Sequence, residues 1–240
     1  MSTPNTTEGS KKRIDFLRRT AKEIKNYRVR MKMLSILLVL LVTITGVVYM
    51  AAALYEQSGS FTVRVNKYEM QKYGLTLSES KEMTRQSSHL NAKISEKITN
   101  ISGDTIDANV DMIDGPHNGR DYIAYTFYVQ NAGETDVSYD YVINLSGVTN
   151  ALDEAIRLRL YIDGAPTTYA KTKSDGSGAE PGTVEFHSAA VVTQGRVDNF
   201  APEEKTKFTV VIWIEGSDPD CIDWLIGGKM KLDMNVAVVH

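Results

Sequence analysis

Histidines, the commonest ligands of catalytic metals, are few and widely spaced in this sequence. Metal-dependent proteolysis typically uses two histidines on one helix face, as in H-E-x-x-H. The four histidines are His89, His117, His187 and His240. No two of them are three or four residues apart, and the sequence contains neither G-x-S-x-G nor a phosphate-binding glycine loop. We therefore expect no catalytic residue, no cofactor and no enzyme activity, and we expect His117, in a Gly- and Asn-rich turn, to be solvated.

Asp218, Asp220 and Asp223 form an acidic cluster whose carboxylates could in principle bind Ca²⁺. The same spacing fits the start of a helix better, because Asp218 can cap a helix and Pro219 suits its first position. We therefore predict a two-turn helix between Gly216 and Gly228, and no metal site.

The composition excludes several classes of protein. The 240 residues include 27 Lys and Arg, 30 Asp and Glu, and one cysteine. These totals exclude collagen-like, disulfide-framework and wholly disordered chains. With Cys221 alone there is no internal disulfide, which for an exported domain suggests a cell whose exported proteins do not rely on oxidative folding. We expect Cys221 to be a small buried hydrophobe beside Trp224.

Charge is segregated along the chain. Residues 1–32 contain ten Lys or Arg and three Asp or Glu, a net charge of +7. Residues 33–55 contain no charged side chain, and the rest of the chain contains 17 basic and 27 acidic side chains, a net charge of −10. We predict a basic cytoplasmic tail (1–32), a transmembrane helix (33–55) and an outer domain (56–240), with no nucleic-acid partner.

The uncharged segment is long enough to cross a bilayer. At ~1.5 Å per residue, a helix of this length spans about 34 Å, against about 30 Å for the hydrocarbon core. Its basic flank predicts a single-pass cell-membrane protein with its amino terminus inside and its carboxyl-terminal domain outside. Two alternatives are a buried helix of a soluble domain and a signal peptide cleaved near Ala51-Ala52-Ala53. The long basic region and the long apolar run favour an uncleaved signal anchor.

The basic tail has a helical pattern of its own. Ile14, Leu17, Ala21 and Ile24 recur at helical spacing with cations between them. This pattern suggests that residues 11–32 lie partly as an amphipathic helix on anionic lipid headgroups. A solvated flank with no further role is the alternative.

From residue 56 onward, apolar and polar side chains alternate as in half-buried strands. Six strands are predicted, around residues 61–65, 123–129, 137–145, 156–162, 208–214 and 230–238. Gly-containing turns at residues 131–136 and 163–164 indicate hairpins. The pattern predicts an antiparallel β-sandwich or jelly roll of about eight to ten strands, with long loops and one short helix over residues 79–120. The expected core is Phe61, Phe127, Tyr141, Ile143, Leu160, Ile212 and Met234.

Two segments resemble a known group of proteins. Asn118-Gly-Arg-Asp-Tyr-Ile-Ala-Tyr-Thr-Phe-Tyr-Val-Gln-Asn-Ala-Gly133 resembles the strand and N-x-G turn of exported β-sandwich proteins of Firmicutes. Ser58-Gly-Ser-Phe-Thr-Val-Arg-Val65 resembles the start of such a domain. The layout is similar to the TasA and camelysin group of surface and biofilm-matrix proteins and their membrane-anchored relatives. The long basic amino terminus departs from the short cleavable signals of that group. Camelysins have been classed as metallopeptidases, but this sequence contains no zinc motif.

The sequence therefore predicts a membrane-anchored bacterial surface protein that acts by structural contact or adhesion, in matrix or envelope assembly, and that can self-associate. The alternative is an accessory or sensory subunit of a membrane complex that binds a ligand outside. Strand exchange by residues 61–65 would provide one route to self-association, and ordinary pairing of this strand within its own sheet is the alternative.

Overall fold

The computed structural model describes the backbone of residues 6–57, 60–93 and 98–239, and the side chains of residues 25–50, 61–92 and 98–239. Residue contacts divide the chain into two compact units, Met1–Glu56 and Gln57–His240. The first unit contains one long helix, and the second is mainly β.

The first unit contains helix α1 (Thr6–Gln57). Within it, Lys25–Met50 is long and apolar enough to cross a membrane, and none of this span is buried. Its bounds are those of the α1 residues whose side chains are described, and it contains residues 33–50 of the predicted segment 33–55. Thr43 and Thr45 donate their hydroxyls to backbone carbonyls one turn back, each at 2.8 Å, so these polar groups are satisfied inside the helix. The side chains of the amphipathic pattern at 14–24 and of the alanines at 51–53 lie outside the described part of α1.

The described part of the second unit contains thirteen strands and one short α-helix. The strands are β1 (Ser60–Val65), β2 (Leu75–Ser78), β3 (His89–Lys93), β4 (Asn100–Ile101), β5 (Gly115–Pro116), β6 (Tyr122–Asn131), β7 (Val137–Ser146), β8 (Ile156–Ile162), β9 (Ala165–Ala170), β10 (Val184–Glu185), β11 (Val191–Phe200), β12 (Lys205–Glu215) and β13 (Lys231–Val238). Helix α2 (Lys67–Tyr73) lies between β1 and β2. All six predicted strands are present.

The strands form two mixed sheets. The five-stranded sheet has the order β11-β7-β13-β1-β3, and the eight-stranded sheet has the path β10-β9-β8-β12-β6-β2, with β4 beside β12 and β5 beside β6. The expected purely antiparallel pairing is wrong, because β1 pairs in parallel with β13, β4 with β12 and β9 with β10. These partners are distant in sequence or separated by long loops, so no tight turn imposes antiparallel pairing on them.

Side chains from both sheets share one hydrophobic core. All seven expected core residues are buried. The ring of Phe61 in the five-stranded sheet lies 6.3 Å from that of Phe127 in the eight-stranded sheet. Phe127 stacks on Phe208 at 5.5 Å, and Tyr141 meets Phe208 edge-on at 5.4 Å. The alternating positions identified in the sequence therefore supply the contacts between the sheets.

Part of the second face of the eight-stranded sheet, over β6, β8 and β12, is also buried, which the alternation did not predict. Ile106 and Val110, from the loop region after β4, pack against Tyr161, Val211 and Trp213 in a second apolar cluster. The described part of region 79–120, expected to be long loops with one short helix, consists of loops with β3, the two-residue strands β4 and β5, and two 3-10 turns at Gly103–Thr105 and Val110–Met112. We call residues 103–113 the covering segment.

Strand β1 lies inside its sheet, next to the edge strand β3. It pairs with β13 on one side and with β3 on the other, so both backbone edges are used within this chain. The structure therefore has the ordinary pairing that was the alternative to strand exchange.

Candidate functional site

At one end of the two sheets, several loops pack around a buried ion pair between Arg157 and Asp218. β1 begins at this end, and β13 begins there too, because it runs parallel to β1 with Phe61 opposite Leu232. β8 also begins there, since Ile156 pairs with Ile214 near the end of β12. We call this the entry end, because the chain enters the β domain here. The loop of residues 216–230, which joins β12 to β13, lies at the entry end.

Arg157, the second residue of β8, is buried at the entry end, with 2% of its side chain exposed. Arg157 lies between Ile156 and Leu158, and the alternation of the strand predicted at residues 156–162 puts it on the polar face. Its Nη2 donates to Asp218 Oδ2, and its Nε donates to Glu180 Oε2 at 2.9 Å. Asp218 is equally buried, and its Oδ1 accepts the backbone N–H of Asp220 at 2.7 Å. This ion pair ties the 216–230 loop to the start of β8.

Glu215, the last residue of β12, forms a second polar anchor. Its carboxylate accepts from Trp213 Nε1 at 2.9 Å, from the backbone N–H of Gly103 at 3.0 Å and from the Ser217 hydroxyl at 2.8 Å. Burial, the largest influence, raises the pKa of this carboxyl, but the hydrogen bonds together hold the pKa below its ordinary value of 4.5. The ionised carboxylate thus joins β12, the covering segment and the start of the 216–230 loop.

The 216–230 loop contains a 3-10 turn at Asp223–Leu225 and no α-helix. The predicted two-turn helix is therefore wrong. Asp218 uses one carboxylate oxygen to accept the backbone N–H of Asp220, as a cap residue does, and the other to bind Arg157. No helix follows, because the backbone is extended at Ile222 just before the turn.

Side chains of this loop divide into an inner and an outer set. Leu225 is 7% exposed and belongs to the core. Cys221 is half-buried against the same core, less buried than expected, and its Sγ accepts from Asn100 Nδ2 at 3.5 Å. The outer side chains are Ile222, Trp224 and Ile226, which are 59%, 70% and 76% exposed. The sequence signal for this arrangement is the apolar run Ile222–Ile226, which Asp223 interrupts. Because we interpreted this run as part of a helix, we did not predict that its side chains would be exposed.

The three aspartates considered as a Ca²⁺ site are engaged separately. Asp218 binds Arg157, Asp220 accepts from the Ser174 backbone N–H at 3.0 Å, and Asp223 is exposed. Within the described ranges, no group of three or more His, Cys, Asp or Glu side chains is placed to hold a metal ion.

The described histidines are dispersed. His117 is half-buried, with Nδ1 2.8 Å from the carbonyl oxygen of Gly115 and Nε2 2.6 Å from that of Val110. The expectation of a solvated residue is therefore wrong, because the ring links the covering segment to β5. His89 lies on β3, where burial, followed by the nearby cations, lowers its pKa. His187 is exposed, and His240 lies outside the described residues.

A polar cleft of about 520 Å³ lies at the opposite end of the sheets, between α2 and the turn after β6. Gly74, at the end of α2, has φ +73°, and a Cβ there would lie 2.2 Å from the backbone nitrogen of Gly133. Lys72 Nζ lies 4.8 Å from the centre of the Tyr73 ring. Among the described residues lining this cleft there is no pairing of a nucleophile with a histidine or carboxylate base.

Comparison with known proteins does not identify a family. No family model matches the chain, and no curated protein matches it. One solved structure similar to part of the chain is a β-glucosidase from Kluyveromyces marxianus in complex with glucose, at 9% identity and a TM-score of 0.25. The match covers 69% of this chain and 15% of the glucosidase chain. A similarity this low carries no argument about fold or activity.

Proposed function

We propose that this chain is a single-pass membrane protein with its amino terminus inside the cell, and that its β domain acts by contact on the outer surface. The observation that supports this most is the Lys25–Met50 span, whose apolar side chains are exposed on every side of α1. Such a helix is unfavourable in water and favourable in lipid. The excess of basic residues before the uncharged segment supports the orientation.

The β domain is proposed to be a β-sandwich that serves matrix or envelope assembly or adhesion. Support for the sandwich comes from the single core shared by the two sheets, with Phe61 and Phe127 in contact across it. The resemblance of residues 118–133 to the TasA and camelysin group agrees with this role and stays a prediction.

Edge strand β11 is the proposed contact surface. It has ten residues, and among the strands of the described residues it pairs only with β7; its first two residues also bond to His187 and Ser188, which leaves the outer edge open from Thr193 onward. Its outer backbone edge can therefore accept a strand from a second molecule.

Orientation can be tested by labelling single cysteines in intact cells with a maleimide that does not cross membranes. In a Cys221→Ala background, Ser177→Cys places a thiol in an exposed loop of the β domain, and Thr7→Cys places one near the amino terminus. We expect the first to be labelled in intact cells and the second only after lysis. The reverse pattern would overturn the orientation, and a mature chain beginning near Leu54 would show that α1 is a cleaved signal.

Contact through β11 can be tested by measuring self-association of the full chain in lipid nanodiscs or by imaging filaments. Gln194→Lys adds a charge to an exposed side chain of β11, and Gln71→Lys makes the same change on the exposed face of α2. We expect the first to weaken association and the second to leave it unchanged. If the full chain does not associate at all and crosslinking of residues 1–32 captures a cytoplasmic neighbour, the accessory-subunit function replaces this proposal.

A further inference from the structure

The outer side chains of the 216–230 loop form an apolar tip that is held rigidly. Its three members are Ile222, Trp224 and Ile226. The backbone N–H of Leu225 donates to the carbonyl of Ile222 at 3.0 Å, which closes the turn. Asn150 Nδ2 donates to the carbonyl of Ile226 at 2.9 Å, and Leu225 is anchored in the core. The tip cannot bury its side chains by folding back while these contacts hold.

The tip lies at the end of the domain that the chain enters from α1. The 216–230 loop leads directly into β13, which begins beside the start of β1. α1 ends at Gln57 and β1 begins at Ser60. Three extended residues span about 10 Å at most. If α1 crosses a bilayer, the entry end of the domain is therefore tethered close to its surface.

The chemistry of the tip matches a lipid interface. Tryptophan is enriched at membrane interfaces because its large apolar ring carries a polar N–H that can stay with the headgroups. Isoleucines on either side add apolar surface that the acyl boundary can cover. Asp223, exposed within the tip, sets a limit on depth, because its carboxylate must remain among headgroups and water.

We infer that Ile222, Trp224 and Ile226 insert into the headgroup boundary of the membrane that α1 crosses, and so give the β domain a second attachment to the bilayer. This inference rests on the proposed function, because it needs α1 to be in the membrane. The second attachment would hold the entry end at the lipid surface and leave β11 exposed along its edge for contact with other molecules.

The test uses the full chain in nanodiscs of phosphatidylcholine and phosphatidylglycerol, with and without bromine on the lipid acyl chains near the headgroups. Bromine quenches tryptophan on contact. Trp213 is buried in the domain, so the difference between the wild type and Trp224→Phe isolates the emission of Trp224. We expect brominated lipid to reduce the Trp224 emission about twofold or more, as for a side chain in the interface, and to leave the Trp224→Phe chain unchanged.

A matched control places an exposed tryptophan elsewhere. Met112 is 72% exposed, and its neighbour Asp111 lies beside Lys207 near the start of β12, at the opposite end of the sheets. In the Trp224→Phe background, Met112→Trp should be quenched by aqueous iodide and not by brominated lipid.

Three outcomes would overturn the inference, and they are distinguishable. Trp224 quenched by iodide but not by brominated lipid would place the tip in water. Trp224 shielded from both quenchers would place it against protein, in a second copy or a partner. A chain that does not co-purify with the nanodiscs would overturn the membrane anchor and this inference together, whereas the first two outcomes leave the anchor intact.

Discussion

Breaking the buried ion pair at the entry end should destabilise the β domain strongly. Arg157→Met removes the guanidinium but keeps an apolar side chain of similar length. It leaves the Asp218 carboxylate buried with one backbone N–H as its remaining hydrogen-bond donor. Removing one partner of a buried pair costs about 3–5 kcal/mol. With an unfolding slope of about 2 kcal/mol/M in urea, the unfolding midpoint should fall by about 2 M.

The assay is urea unfolding of the full chain in detergent, in a Trp224→Phe background, followed by the emission of the buried Trp213. The pair Arg196 and Asp140 provides a matched control, because Arg196 Nε lies 2.7 Å from Asp140 Oδ1 with both side chains about half exposed. Arg196→Met should cost about 0–1 kcal/mol, since exposed ion pairs contribute little.

A double variant identifies the cause of the loss. In Arg157→Met with Asp218→Leu, both buried charges are gone, and Glu180, whose side chain is 34% exposed, stays hydrated, so the cost should be well below that of Arg157→Met alone. If Arg157→Met costs no more than the control at Arg196, or if the double variant is as unstable as the sum of its two single variants, then the uncompensated charge is not the reason.

Three further predictions concern stability, each measured by urea unfolding of the full chain. Phe127→Ala should cost about 3–5 kcal/mol, since the ring is fully buried between the sheets; a loss below about 1 kcal/mol would contradict its place in the core. Gly74→Ala should lower the free energy of unfolding more than Gly227→Ala does. Both glycines have a positive φ, but a Cβ at Gly74 meets the backbone of Gly133, whereas a Cβ at Gly227 has no atom within 4 Å. Equal losses would show that the close approach of Gly74 to Gly133 is absent. The pKa of the Glu215 carboxyl is lowered in the folded state, so its contribution to stability is present above its unfolded pKa and is lost as the pH falls through its folded pKa. Glu215→Gln should therefore reduce the loss of unfolding free energy on the acid side of the pH profile. An unchanged profile would contradict the hydrogen-bond network.

The strands and the core were predictable because they depend on a local pattern. Phe61, Phe127 and Met234 each occupy one phase of a period-two alternation, and a strand with that pattern buries one face wherever its partner comes from. The partner was not predictable in the same way. β1 is the first strand of the β domain in sequence and β13 is the last, so no turn between them indicates that they pair in parallel.

The buried ion pair and the exposed apolar tip were also not predictable from neighbouring residues in the sequence. The position of Arg157 between apolar neighbours indicated a polar face, and Asp218 before Pro219 indicated a helix cap. Both indications used neighbours in sequence. The structure instead joins Arg157 to Asp218, which are 61 residues apart. This contact anchors the 216–230 loop, in which Trp224 is exposed.

The sequence by itself determined the segregation of charge, the uncharged segment that makes α1 apolar, and the strands that bury one face, because each is a property of residues a few positions apart. Only the tertiary structure decided which strands are neighbours, that part of the second face of the larger sheet is covered, and which loop residues are left exposed at the entry end. Those outcomes depend on segments far apart in sequence competing for the same surface, and the free energy of that competition comes from buried contacts that no local pattern contains.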